Sequence, residues 1–322
     1  MRIAIVGPGA MGCLFAAHLA RDRGNEVRLL DHNPRRARYL ARQGLSVSGL
    51  TAIRVPRGRV AAACRALGSA PADAVIVLVK AYDTPAAARR ARPCVGKDTL
   101  VVTLQNGLGN LEAIRRALGA RLARNAVEGV TAQGATLLGW GRTRHAGRGE
   151  TVLGAPSGRL AGQARRLAAA LTAAGLPARV VRDARTRVWS KLVVNSAINP
   201  LGALLGVRNG DLVRHQGVKR LLCAVADESA RVARRAGARV ARRGLRARVV
   251  RICKATGGNF NSMLQDLRAG NRTEVDQING AIVSTGARLG APAPLNAALA
   301  RSVKCCARRQ VRSWSCGTYL SN

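Results

Sequence analysis

The chain has 322 residues, 48% of them hydrophobic, which excludes a disordered polymer and suffices for two domains of ordinary size. Its 54 Lys and Arg against 16 Asp and Glu give a formal charge of +38, and only 2% of residues are aromatic. The basic residues are scattered in pairs such as Arg35-Arg36, Arg89-Arg90, Arg115-Arg116 and Arg234-Arg235, with no basic tail and few rings to stack on bases, so a nucleic-acid partner is not expected despite the charge.

The eight cysteines make no CxxC and no Cys/His spacing suited to zinc, so the expectation is reduced thiols, no metal and a cytoplasmic location. From Ile3 to Ala20 only His18 is potentially charged, which superficially resembles a secretory signal. Gly7, Pro8, Gly9 and Gly12 interrupt the run, unlike a continuous apolar helix. No apolar stretch is long enough for a membrane span, so no membrane partner is expected.

Those glycines carry the first motif. Arg2–Val6 reads as a strand, Gly7-Pro-Gly-Ala-Met-Gly12 as a loop, Cys13–Arg23 as a helix and Val27–Leu30 as a second strand. A G-x-G-x-x-G between strand and helix is the dinucleotide fingerprint: the glycines allow a tight turn, close backbone approach to a pyrophosphate and helix packing. Gly7, Gly9, Ala10, Met11 and Gly12 are therefore candidate cofactor contacts. Asp31 closes the second strand where an acid meets the adenosine ribose, which suits NAD(H). His32, Arg35 and Arg36 follow at once and suit the 2′-phosphate of NADP(H), so the residues leave the choice open.

Ala74–Val79 and Leu100–Leu104 are apolar runs of the kind found in strands buried on both faces. Lys80 follows the first, and Gln105 and Asn106 follow the second. Ligands of open α/β sheets bind outside the carboxyl ends of strands, which makes these residues candidates, although Asn106-Gly107 is also a turn sequence. Ala126–Leu138, Glu150–Leu153 and Ala178–Val181 read as the far half of the same sheet, with a helix over Leu160–Ala174.

From Ala184 strand patterns cease. Arg187–Leu205, Gly217–Gly237, Ala247–Thr256, Ser262–Leu267, Thr273–Leu289 and Pro294–Val303 read as helices. The expected architecture is α/β: a Rossmann-type dinucleotide-binding domain over residues 1–183, an all-helical substrate and catalytic domain over 184–303, and an atypical tail over 304–322 without helical periodicity. In the first of these helices Lys191, Asn195 and Asn199 recur at i, i+4 and so share one face of an apolar segment. Buried polar groups without partners are costly, and a small polar ligand opposite them is the natural occupant. Asn259-Phe-Asn-Ser262 forms another polar cluster. Glu274, by spacing alone, reads as a first-turn acid behind Thr273 as N-cap.

Taken together, Gly7-Pro-Gly-Ala-Met-Gly12, Lys80-Ala-Tyr-Asp83, Leu104-Gln-Asn-Gly107, Lys191-Leu-Val-Val-Asn195 with Asn199-Pro-Leu, Ser262-Met-Leu-Gln-Asp266 and Arg272-Thr-Glu-Val-Asp-Gln-Ile-Asn-Gly280 resemble the ketopantoate reductase family from Met1 to about Val303. The resemblance implies reduction of ketopantoate, a 2-oxo acid, to pantoate with NADPH, in pantothenate and coenzyme A biosynthesis. It implies that Lys191 is the general acid and that Glu274 binds and orients the substrate hydroxyl, against the reading from spacing. It also implies that Asn106, Asn195, Asn199, Asn259 and Ser262 bind substrate, and that Lys80 serves cofactor or substrate. His32 stands where relatives often place an arginine for the 2′-phosphate, and Asp31 before it keeps NAD(H) open. The alternatives are a reductase of the same fold for another 2-oxo acid, and a dinucleotide-sensing or nucleic-acid-binding protein without turnover. A homodimer is compatible with the sequence.

Overall fold

A computed structural model describes residues 1–64, 70–155 and 158–313, with the side chains of 159 and 309–313 excepted. The chain divides into two compact units, Met1–Val188 and residues 189 onward. The division therefore lies inside a helix, slightly beyond the boundary expected near Asp183.

The first unit contains strands β1 (Arg2–Val6), β2 (Glu26–Leu30), β3 (Leu45–Gly49), β4 (Ile53–Val55), β5 (Val60–Ala63), β6 (Ala74–Val77), β7 (Leu100–Thr103), β8 (Ala126–Thr131), β9 (Gly134–Gly139), β10 (Arg142–Gly147), β11 (Thr151–Gly154) and β12 (Ala178–Val181). Its helices are α1 (Ala10–Leu19), α2 (Pro34–Gln43), α3 (Thr84–Ala91), α4 (Asn110–Leu118), α5 (Ala120–Ala123) and α6 (Gly158–Ala173). Eight strands form one sheet in the order β12-β11-β8-β7-β6-β1-β2-β5, parallel throughout except where β8 meets β11. Alternation along β1 explains why the sheet is covered twice. Ile3 and Ile5 join one apolar cluster with Leu14, Phe15 and Leu29, whereas Ala4 and Val6 join another with Val75, Val77 and Ile114.

A second sheet, β4-β3-β10-β9, packs against α1. This corrects the expectation that Ala126–Leu138 is one piece of the main sheet: β8 belongs there, and the chain then leaves it to form the β9–β10 hairpin. The polar residues of β10, with Arg142 and Arg144 exposed and Thr143 and His145 buried, suit a sheet with one wet face.

Between α1 and this sheet runs a buried polar chain. His18 Nδ1 faces the Ala174 carbonyl at 2.8 Å, its Nε2 faces Thr51 Oγ1 at 3.2 Å, Thr51 Oγ1 faces His145 Nδ1 at 3.0 Å, and His145 Nε2 faces Gln133 Oε1 at 3.0 Å. Gly149 fixes the Gln133 amide, its N–H donating to Oε1 and its carbonyl accepting from Nε2. Both ends of the chain are therefore acceptors. Two neutral imidazoles and one hydroxyl bring one proton each, one fewer than the contacts require. A single extra proton, on either ring, completes the network. Burial opposes it and holds both imidazoles below their ordinary value.

The second unit is helical, as expected: α7 (Arg185–Leu205, which begins in the first unit), α8 (Gln216–Arg235), α9 (Leu245–Ala255), α10 (Ser262–Arg268), α11 (Ala281–Arg288) and α12 (Pro294–Ser313), with a 3₁₀ turn at Asn209–Val213. Two details differ from expectation. The segment over Thr273–Leu289 begins late, as a π-turn at Asp276–Gly280 leading into α11. The last helix runs on through Ser313, so residues 304–313 are helical, not an aperiodic tail. The physical anchors are Val303, fully buried, and an ion pair between Lys304 and Asp276. Residues 314–322, which hold Cys316 and the last aromatics, lie outside the described residues. No helix among the described residues is long and apolar enough to cross a membrane.

Candidate functional site

In the first unit the site is built by the turn from β1 into α1. Gly7 has φ +97°, and a Cβ there would stand 2.6 Å from Val79 Cγ1, so only glycine fits. A Cβ on Gly12 would lie 2.0 Å from the Gly7 carbonyl oxygen, which shows how tightly the helix sits on its own turn. A Cβ on Gly9, in contrast, would meet nothing within 4 Å. Gly9 is the N-cap of α1 and offers no side chain to its first amides, and no acid stands in the first turn. An open, uncapped, positively polarised helix start suits a pyrophosphate, and Ala10 and Met11 are half-buried beside it.

At the end of β2, Asp31 is buried at 2% exposure. Arg36, one turn into α2, donates from Nε to Asp31 Oδ2 at 2.5 Å and from a terminal nitrogen to Oδ1 at 2.6 Å. The Asn33 N–H also donates to Oδ1, at 3.0 Å. Burial pushes the Asp31 carboxyl up, but the Arg36 and Asn33 hydrogen bonds outweigh it and hold the group below the usual range. His32 is exposed, with Nδ1 3.5 Å from Oδ1 of Asp31, and Arg35 is exposed beside it. The acid and Arg36, read from sequence as rivals for the cofactor, are partners of each other.

Lys80 and Asn106 follow β6 and β7, which lie side by side next to β1 in the sheet, so both stand at the carboxyl side with the glycine turn. Both are half-buried. Gln105 is engaged elsewhere, since its Nε2 donates to the Val79 carbonyl at 2.9 Å and to Thr84 Oγ1 at 2.7 Å, and its Oε1 accepts from Thr103 at 2.9 Å. That amide ties adjacent strand ends together and has little left for a ligand. Asn106 is held through its backbone, with its carbonyl accepting from Asn110 Nδ2 at 3.0 Å.

In the second unit α7 is continuous through Lys191, Asn195 and Asn199, so the three side chains leave one face as their spacing requires. Lys191 and Asn195 are half-buried, and Asn199 is buried. Burial pulls the Lys191 ammonium down to about 8, with the Glu274 carboxylate opposing the fall. Glu274 is itself buried at 6% exposure. It is not a first-turn acid behind a Thr273 cap: its own carbonyl accepts from the N–H groups of Gln277 and Ile278, at 3.1 and 3.0 Å, just ahead of the π-turn. The position puts the acid at the mouth of the helix, where its electrostatic effect reaches Lys191.

Asn259 is exposed and Ser262, the first residue of α10, is half-buried. Between them stands Asn261, which sequence reasoning passes over. Its Oδ1 caps α10 by accepting from the Leu264 N–H at 3.0 Å, and its Nδ2 points at the Ile198 carbonyl of α7 at 3.5 Å. A Cβ on Gly202 would lie 2.2 Å from that Nδ2, so a glycine in α7 makes room for it. The contact brings the 259–262 segment against α7 next to Asn199.

Also unforeseen is a buried set beneath the same helix: Ser196, Ser229, Glu228, Asn279 and Asn296. One sequence signal points to it. Pro200, inside a predicted helix, deprives the Ser196 carbonyl of its N–H and calls for a donor from elsewhere.

Comparison with known proteins places the whole chain. The family model described as ketopantoate reductase PanE/ApbA matches residues 3–158, and its C-terminal counterpart matches residues 183–306. The chain is 38% identical over 306 residues to the 2-dehydropantoate 2-reductase of Archaeoglobus fulgidus, covering 94% of this chain and 97% of the relative. It is 37% identical over 287 residues to that of Halobacterium salinarum, covering 88% and 91%. Among solved structures, a PanE/ApbA family ketopantoate reductase from Ralstonia eutropha superposes with a TM-score of 0.85 at 33% identity, over 97% of this chain and 100% of that one. D-mandelate dehydrogenase, solved with NADH and anilino(oxo)acetate, superposes with a TM-score of 0.86 at 25% identity, also over 97% and 100%. Both family models and relatives matched over nearly the whole chain thus agree with a Rossmann-type parallel sheet followed by a helical unit, and this chain belongs to the ketopantoate reductase (2-dehydropantoate 2-reductase) family of nicotinamide-dependent oxidoreductases.

Proposed function

We propose that the protein reduces ketopantoate to pantoate with NADPH, in pantothenate and coenzyme A biosynthesis, and does so in the cytoplasm. The observation that carries the reading is Lys191: a half-buried amine that desolvation brings down to about 8 against the opposing pull of Glu274, on one helix face with two amides. When bound, a reduced nicotinamide supplies hydride to the ketone carbon. The ketone oxygen then gathers negative charge, and the Lys191 ammonium stabilises it and donates the proton. A donor whose pKa lies near working pH is mostly protonated yet releases its proton readily. Asn195, Asn199, Asn259 and Ser262 offer hydrogen bonds to the substrate, and Glu274 keeps Lys191 charged and accepts from a substrate hydroxyl. Asn106 and Lys80 serve the substrate and cofactor from the ends of β7 and β6.

Gly7, Gly9, Ala10, Met11 and Gly12 hold the pyrophosphate. The NADPH preference rests on the Asp31–Arg36 pair. A carboxylate already gripped by a guanidinium has little left for a ribose diol, whereas exposed His32 and Arg35 remain for a 2′-phosphate. A second reading, a reductase for a different 2-oxo acid, draws on the close superposition with D-mandelate dehydrogenase. Both are tested by following NADPH and NADH absorbance with ketopantoate and with a panel of other 2-oxo acids. The proposal expects the highest kcat/KM for ketopantoate with NADPH. A larger value for another acid, or for NADH, overturns the corresponding part.

A further inference from the structure

Pro200 lies inside α7 and has no N–H to give the carbonyl four residues back. That carbonyl belongs to Ser196, which is fully buried. Its donor comes from another element: Asn279 Nδ2, in the π-turn, reaches the Ser196 oxygen at 2.9 Å. The Ser196 hydroxyl is occupied separately, donating to the Val193 carbonyl at 3.0 Å and lying 2.8 Å from Ser229 Oγ.

The orientation of the Asn279 amide is dictated from a distance. The buried Glu228 carboxylate accepts from the N–H groups of Leu295 and Asn296, at 3.1 and 2.8 Å, and from Asn296 Nδ2 at 2.9 Å. Asn296 Nδ2 also donates to Ser229 Oγ at 3.0 Å. With its nitrogen committed, Asn296 presents Oδ1 to Asn279, 2.9 Å away. Asn279 must therefore turn its nitrogen toward both acceptors, and its own Oδ1 is buried with no hydrogen-bond partner among the described residues. An amide that leaves its oxygen orphaned is kept for its N–H groups. The two anchor points also match: Ser196 follows Lys191, and Asn279 follows Glu274, by the same five residues.

We propose that Asn279 is a positioning residue for the reaction: its amide splints the proline-opened turn of α7 to the π-turn and so sets how Glu274 faces Lys191. The splint deepens the proposed function, since it rests on Lys191 as proton donor. π-Turns recur at functional sites, and here the irregular backbone holds the side chain that closes the gap left by Pro200.

The test is a cycle of Asn279→Ser, Pro200→Ala and the double variant in the full chain, with Lys191→Ala alongside. Thermal midpoint, kcat, KM and the pH profile of kcat are read for each. Asn279→Ser is expected to lower kcat roughly tenfold to a hundredfold. It should also move the alkaline limb of the profile by more than about half a pH unit, because the environment of Lys191 has changed. Pro200→Ala returns a helical N–H to Ser196, so Asn279→Ser should lose less thermal midpoint and less kcat in that background. Folding that fails only while Pro200 is present is the same rescue in stronger form. An unchanged alkaline limb overturns the proposal, as does an equal loss in both backgrounds, including failure to fold in both. Near-normal turnover by Lys191→Ala overturns the donor assignment instead, whatever Asn279→Ser does.

Discussion

Arg36 holds both carboxylate oxygens of Asp31 at once, so the acid at the end of β2 is spoken for before any ribose arrives. Arg36→Ala frees that carboxylate and removes a positive charge. The ratio of kcat/KM for NADPH over NADH should fall by roughly tenfold or more. Steady-state kinetics with both cofactors decides it, and an unchanged ratio means that Asp31 takes no part in cofactor choice.

Lys191→Ala should lower kcat by roughly 10²–10⁴ with the fold intact, since it removes the proposed proton donor and the charge proposed to steady the developing alkoxide. Circular dichroism and thermal melting establish the fold. Turnover near wild type would assign the acid to another group.

The same residue predicts mirrored pH profiles. Reduction needs the ammonium, so its rate should decline as pH rises through about 8, while oxidation of the alcohol needs the neutral amine and should climb through the same point. Glu274→Gln removes the charge that opposes burial, so the shared inflection should move to lower pH. An inflection that stays fixed in Glu274→Gln argues that the carboxylate does not act on Lys191.

Two glycines separate folding from binding. Gly12→Ala drives a methyl into the Gly7 carbonyl and should destabilise the protein by about 3 kcal/mol or more. Gly9→Ala meets no protein atom, so stability should stay close to wild type while the dinucleotide Kd rises roughly tenfold. Thermal melts and cofactor titrations of the pair read both effects. A destabilised Gly9→Ala with normal cofactor affinity contradicts the assignment of that open space to the pyrophosphate.

His18 and His145 give a stability signature in acid. Both hold folded values below the ordinary 6.5, so on the acid side the unfolded chain binds more protons than the folded one. Their contribution is complete above about pH 6.5 and is lost as pH falls through the folded values. Arg21 and Arg148 face the pair and push the same way, against a charged ring. In His145→Gln the melting temperature should depend less steeply on pH between about 5 and 6.5. A slope equal to that of wild type would place the acid sensitivity elsewhere.

Much of this is legible in the sequence because the signals are local. The glycine turn declares itself through three positions within one turn of chain, and Lys191, Asn195 and Asn199 through helical spacing. The strand ends marked by Lys80 and Asn106 follow from apolar runs that have nowhere to go but a buried sheet. Other features depend on partners far along the chain. Nothing near Asp31 says that Arg36 will fold back onto it rather than face solvent, and nothing near Glu274 says that its helix opens with a π-turn. Between 304 and 313 the basic and cysteine residues mask a helix, which is secured by Val303 and by the Lys304–Asp276 pair. The β9–β10 hairpin escapes a sequence reading because alternation reports a buried face but not which sheet buries it.

The small sheet has a consequence for the order in which the protein is made. β3 is completed at Gly49, but its parallel neighbour β10 ends only at Gly147. On the ribosome the outer face of α1, with His18 upon it, can therefore be met early by β3 and β4 but is only half covered while nearly a hundred further residues are polymerised. The first helix of the dinucleotide motif, apolar on almost every side, emerges early and is sealed late. Until β9 and β10 bring His145 over it, the nascent chain carries its cofactor turn on a helix with part of one flank bare.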